Sequence, residues 1–115
     1  MKTLLAILAL TLSVATAQTQ GEMNAGAGAD FEKSDRELNA VYKQVHTGLN
    51  DESREKLKAA QRAWVAFRDA EAEFRADSVA RGGSIYSMIL FEEKKRLTDI
   101  RIKELKELLV PYEDR

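Results

Sequence analysis

The chain has 115 residues, with 18 basic and 19 acidic side chains, a formal charge of −1, one proline and no cysteine. A balance this even sets up no long-range field towards nucleic acid, which argues against binding to a phosphate backbone. Without cysteine there is neither a disulfide nor an N-terminal lipid attachment point, so stability must come from packing.

Residues 1–17 are expected to be a cleaved signal peptide. Lys2 supplies the positive start, residues 4–12 an apolar run, and Ala15-Thr16-Ala17 a small-x-small cleavage pattern. That run falls well short of the ~20 apolar residues a membrane span needs. The expected mature protein is therefore periplasmic or secreted, with no membrane insertion after leader cleavage. Its 98 residues suffice for one domain, and loss of Lys2 brings its charge near −2.

Residues 18–29, QTQGEMNAGAGA, carry three of the six glycines and read as a flexible lead-in. Three helices are predicted over residues 30–110, with 111–115 as a loose tail. In the first, over residues 30–47, Phe31, Leu38, Val41, Tyr42 and Val45 recur at helical spacing, and Gly48 is placed to end it in a left-handed C-cap. The second begins at Asn50 or Asp51, where Asp51, Glu52 and Glu55 suit the positive end of the helix dipole. Its expected apolar stripe runs through Leu57, Ala60, Trp64, Phe67, Ala70 or Glu71, and Phe74 to about Val79, ~40 Å of helix. Arg81-Gly82-Gly83 breaks it, and Ser84 is the expected N-cap of the third helix. There Tyr86, Leu90, Leu97, Leu105 and Leu108 form the expected inner face, flanked by Ile89 and Ile100. Phe91, Ile102 and Leu109 form a second apolar edge. Pro111 stops the helix. Short connections between long helices imply an all-α fold, an antiparallel three-helix bundle with long second and third helices.

No catalytic set stands out. His46 is the sole histidine and suits a last helical turn, where a cation meets the dipole favourably. Glu71 and Glu73, Glu92-Glu93, and Glu104 with Glu107 read as a solvated, ion-paired surface. An enzyme, a metal site and a cofactor are not expected. The block Trp64-Val65-Ala66-Phe67-Arg68-Asp69-Ala70-Glu71 is more informative. Arg68 lies one turn from both Trp64 and Glu71, so it can stack on the indole and offer its fork to a carboxylate, either Glu71 or one on the third helix. Trp64, Phe67, Arg68 and Glu71, together with Leu97 and Arg101, are expected to form a core network that fixes helix register. The turn Arg81-Gly82-Gly83-Ser84 precedes a helix N-terminus and is also a projecting tip that can enter a partner's cleft.

At these residues the sequence resembles the lysozyme inhibitor LprI-like family of small secreted bacterial helical domains. The resemblance rests on MNAGAGADFEKSDRELNAVYKQ, REKLKAAQRAWVAFRDAEAEF, the RGGSI turn and RLTDIRIKELKELL, in that order, and spans about residues 18–109. It implies a secreted or periplasmic binding protein whose partner is lysozyme or another envelope protein. The expected contact region is Arg68, Glu71, Arg81, Gly82, Gly83 and Ser84. The alternative is a structural or stress-related envelope domain that assembles through Phe91, Ile102 and Leu109 and does not bind lysozyme. The family usually carries four cysteines, and Gly26, Ala72 and Glu93 stand at three of those positions, the fourth lying near Gln18. The family's pairing implies a bridge within the lead-in and another from the second helix to the third. This variant is expected to be looser in both places.

Overall fold

The computed structural model describes residues 18–115, which form helices α1 (Gln20–Thr47), α2 (Asp51–Ala80) and α3 (Tyr86–Glu107) and a terminal 3-10 turn, Tyr112–Asp114. The expected leader lies outside the described residues. Contacts between α1 and α3 advance together along the two helices, from Gln20 with Met88 to Ser34 with Asp99, so these helices are parallel. Those between α2 and α3 run in opposite senses, Gln61 meeting Arg101 and Arg75 meeting Glu93. The result is an up-down-up three-helix bundle. α3 is the shared partner, packed extensively by both α1 and α2.

Residues 18–29 are not the flexible lead-in that their glycines suggest, because α1 takes in nearly all of them. Thr19 is the N-cap, its Oγ1 accepting from the Glu22 backbone N–H at 3.1 Å. Thr-x-x-Glu is the sequence form of a capping box, and it outweighs the poor helix propensity of the glycines behind it. Tertiary contacts hold the segment too. Asn24 Nδ2 donates to the Ser84 carbonyl at 3.3 Å, and Gly28 lies against the Phe91 ring, which stacks on Phe31.

The helix ends differ from expectation in two places. Gly48 ends α1 with φ −80°, so no left-handed cap forms. Arg54, from the first turn of α2, closes that end by donating to the carbonyls of His46 and Thr47 at 2.9 and 3.2 Å. Ser84 is not the N-cap of α3; Ile85 is, with no side-chain cap bond. Asn50 caps α2, its Oδ1 accepting from Ser53 N–H at 2.8 Å.

The core divides by residue size. Towards the α1–α2 connection, Leu38, Val41, Val45, Ile102 and Leu105 form the buried cluster, with Tyr42, Leu49, Leu57 and Trp64 packed around it. Towards the α2–α3 turn, α2 buries only Ala72, Ala76 and Ala80. Side chains that small let α2 lie close against α3. Phe67 and Phe74, expected in the stripe, point outwards and are 53% and 67% exposed. The expected second edge of α3 also dissolves. Ile102 belongs to the core, Phe91 is half-buried on Phe31, and Leu109 alone of the three is exposed. Being packed from two sides, α3 needs a wider apolar arc than one stripe supplies.

Candidate partner-binding site

Arg68 is 7% exposed at the junction between the leucine-rich and alanine-rich halves. Its guanidinium stands over two rings, Phe31 of α1 at 5.1 Å and Trp64 of α2 at 5.3 Å. It donates through Nε to Asp69 Oδ1 at 2.9 Å and through NH1 to Asp35 Oδ1 at 3.2 Å and Thr98 Oγ1 at 3.5 Å. One side chain thus touches all three helices. Burying a guanidinium is costly unless its charge and donors are matched, and two carboxylates and two aromatic faces match them here. Both carboxylates are about 40% exposed, so they keep part of their hydration while closing the network. Lys94 extends it, lying 3.8 Å from Asp69 and over Phe31. Arg101 stands over the other side of the network, 5.9 Å from the Trp64 ring, and donates to Gln61 at 3.0 Å.

The expected partner Glu71 is not part of this network. It accepts from Arg75 at 2.8 Å on the neighbouring flank. Phe67 is outside the network as well, for the reason given above, while Leu97 is half-buried on α3. Phe31, Asp35, Asp69, Lys94 and Thr98 are network members that the sequence reading missed. Spacing held a clue to two of them, since Phe31 and Asp35 are four apart and share a face of α1.

The second candidate, Arg81 to Ser84, is exposed throughout. Gly82 has φ +65°, the left-handed region where a side chain is strained. Gly83 N–H donates to the Ala80 carbonyl at 2.9 Å, and Tyr86 N–H to that of Gly83 at 3.2 Å, which fixes a tight reversal. Arg81 pairs with Asp77 at 3.0 Å, and this hydrogen-bonded carboxylate raises its already high pKa. Arg81 lies thirteen positions beyond Arg68, ~20 Å along the helix axis. The expected contact region is therefore two separate features: a buried network and an exposed tip.

At the positions where the resemblance implies a bridge between the second and third helices, Ala72 is fully buried. Glu93 lies 3.8 Å from Arg75 of α2 and 2.8 Å from Arg96. An ion pair thus spans the seam that a disulfide would cross. Gly26 is exposed, with open space around it. Among the described residues no group of three His, Asp or Glu side chains could hold a metal ion. No described helix is long and apolar enough to cross a membrane.

The family model for lysozyme inhibitor LprI matches residues 13–105. The chain belongs to the LprI family. A relative in Rhizobium meliloti (strain 1021), described as an uncharacterized protein, is 34% identical over 111 aligned positions, covering 85% of this chain and 79% of its own. No solved structure matches significantly. Within this LprI-family chain, the aromatic-lined arginine knits the three helices together, and the glycine turn is an exposed reversal at one end of the bundle.

Proposed function

We propose that this protein is exported and acts in the bacterial envelope as a lysozyme-binding inhibitor, with the Arg81–Ser84 turn as the element that enters the enzyme's cleft. The family match over nearly the whole chain carries the functional reading. The placing of the turn supports the assignment of the site. It is narrow, exposed and held between two anchored helices, so little conformational freedom is lost when it docks. Glycoside cleavage uses a pair of carboxyl groups flanking the scissile bond. A guanidinium at the tip is suited to such a pair, because its fork matches carboxylates and its charge is permanent. Arg81's present partner, Asp77, is an exposed neighbour one helical turn back, and exchanging a contact of that kind costs little. Arg68 acts at a distance in this reading, holding the helices that display the turn.

The test is titration of the exported protein into cell-wall lysis assays with lysozymes of several classes, with binding followed calorimetrically. Inhibition that saturates with one-to-one binding is expected. Arg81→Ala should weaken binding by about tenfold or more, as for a central interface arginine. Absence of both binding and inhibition at tens of micromolar, across the classes, would overturn the functional reading. Full inhibition by Arg81→Ala and by Gly82→Val would overturn the assignment of the turn alone.

A further inference from the structure

The outer face of α2 carries an apolar stripe with no partner among the described residues. Ala63, Phe67, Ala70 and Phe74 are all exposed and lie on the side of the helix opposite Ala72 and Ala76, which pack on α3. Two phenylalanines in water, two turns apart on one face, are a liability unless something covers them. The stripe alternates small and large, and its steps of four, three and four residues read the same in both directions.

That symmetry is specific to one kind of partner. Lay a second copy of α2 antiparallel on the first, and Phe67 falls on Ala70 of the other copy while Phe74 falls on its Ala63. Every ring then meets an alanine, and each contact occurs twice about a twofold axis, as a closed homodimer requires. In a parallel pairing at equal register, ring would oppose ring and alanine would oppose alanine.

Charge on one flank selects the same arrangement. Arg62 and Glu73 are exposed, lie on the same side of the stripe, and take part in none of the ion pairs among the described residues. In the antiparallel register Arg62 comes within ~3 Å, along the axis, of the level of Glu73 in the other copy. The pair forms twice. Nearer the ends, Lys56 and Arg81 are already neutralised locally by Glu52 and Asp77.

We infer that this protein forms an antiparallel homodimer through the outer face of α2, with Phe67 and Phe74 seated on Ala70 and Ala63 of the second copy and Arg62 paired across to Glu73. The inference is independent of the lysozyme reading. It also leaves the Arg81–Ser84 turn of each copy at opposite ends of the pair.

Sedimentation equilibrium on the exported protein, from low micromolar to several hundred micromolar, tests it. A monomer–dimer equilibrium is expected, weakened about tenfold or more by Phe67→Ser and by Phe74→Ser. Both side chains are solvent-exposed in the single chain, so helicity and Tm measured in the dilute monomer should hold. Arg62→Glu and Glu73→Arg should each weaken association, and combining them should restore it. A monomer at every concentration would overturn the inference, as would dimerisation indifferent to the phenylalanine changes. Single charge reversals that weaken association without rescue in the double variant would overturn the antiparallel register. Binding of the stripe to phosphatidylglycerol vesicles by a protein that stays monomeric would assign the face to lipid and refute the homodimer.

Discussion

The two ends of the bundle are built on different principles. At the end near the α1–α2 connection, leucine, valine and isoleucine fill the space between helices, and Leu38 and Leu105 are among the largest fully buried side chains. At the end near the α2–α3 turn, Ala72, Ala76 and Ala80 do the corresponding job, with the Phe31–Phe91 stack closing the α1 side. Burial of apolar area stabilises by ~25 cal/mol per Å², so the leucine end gains more for each residue buried. The alanine end gains close approach, and with it dispersion contacts along the backbone. It is also the end where the family resemblance places an inter-helix disulfide. This chain has there a buried alanine and a partly exposed ion pair, a much weaker device than the bridge. Arg68 sits at the junction between the two ends.

Four substitutions put that contrast to experiment. Leu105→Ala should cost the most, ~2–5 kcal/mol of unfolding free energy in urea titration, because the site is fully enclosed and cannot collapse. A loss under 1 kcal/mol would mean that the leucine end is not the stability core. Next, Ala72→Cys combined with Glu93→Cys should form a bridge and raise stability by ~2–4 kcal/mol, a gain that disappears on reduction. Failure to oxidise would show that the seam at these positions is too close or too twisted for the family's staple. Third, Arg68→Met removes the charge while keeping some bulk, and a loss of ~1–3 kcal/mol is expected. Hydrogen exchange should then speed up at both ends together, since all three helices contact Arg68; acceleration at one end only would demote it from its junction role. Smallest of all, Arg75→Ala should cost below ~1 kcal/mol, and the loss should shrink at high salt. A larger, salt-insensitive loss would show that the ion pair stands in for the bridge more fully than its exposure suggests.

The sequence made the number of helices, the two breaks between them and the bundle topology legible, because glycine and capping residues mark the turns and the helices are long. It misled at the alanine end. Hydrophobicity ranks Phe67 and Phe74 above Ala72 and Ala76, so a stripe drawn by side-chain size chooses the face that α2 turns to water. Which face is inner depends on how close α3 comes, and nothing local to α2 specifies that distance. The start of α1 went unread for a related reason: three glycines hid the Thr19–Glu22 cap, and the contacts of Asn24 and Gly28 that stabilise the segment lie some sixty residues away in the chain. At the site, Arg68's stacking on Trp64 was legible from a single helical turn, whereas its carboxylate partners were not. Asp35 comes from another helix, and the adjacent Asp69 was passed over in favour of the one-turn neighbour Glu71.

The central position of α3 has a consequence for how the chain comes to be made. Synthesis delivers the N-terminus first. α1 and α2 therefore emerge before the helix on which each of them packs, and until it arrives neither has its main partner. The last helix made is the one that turns two segments lacking their main partner into a folded bundle.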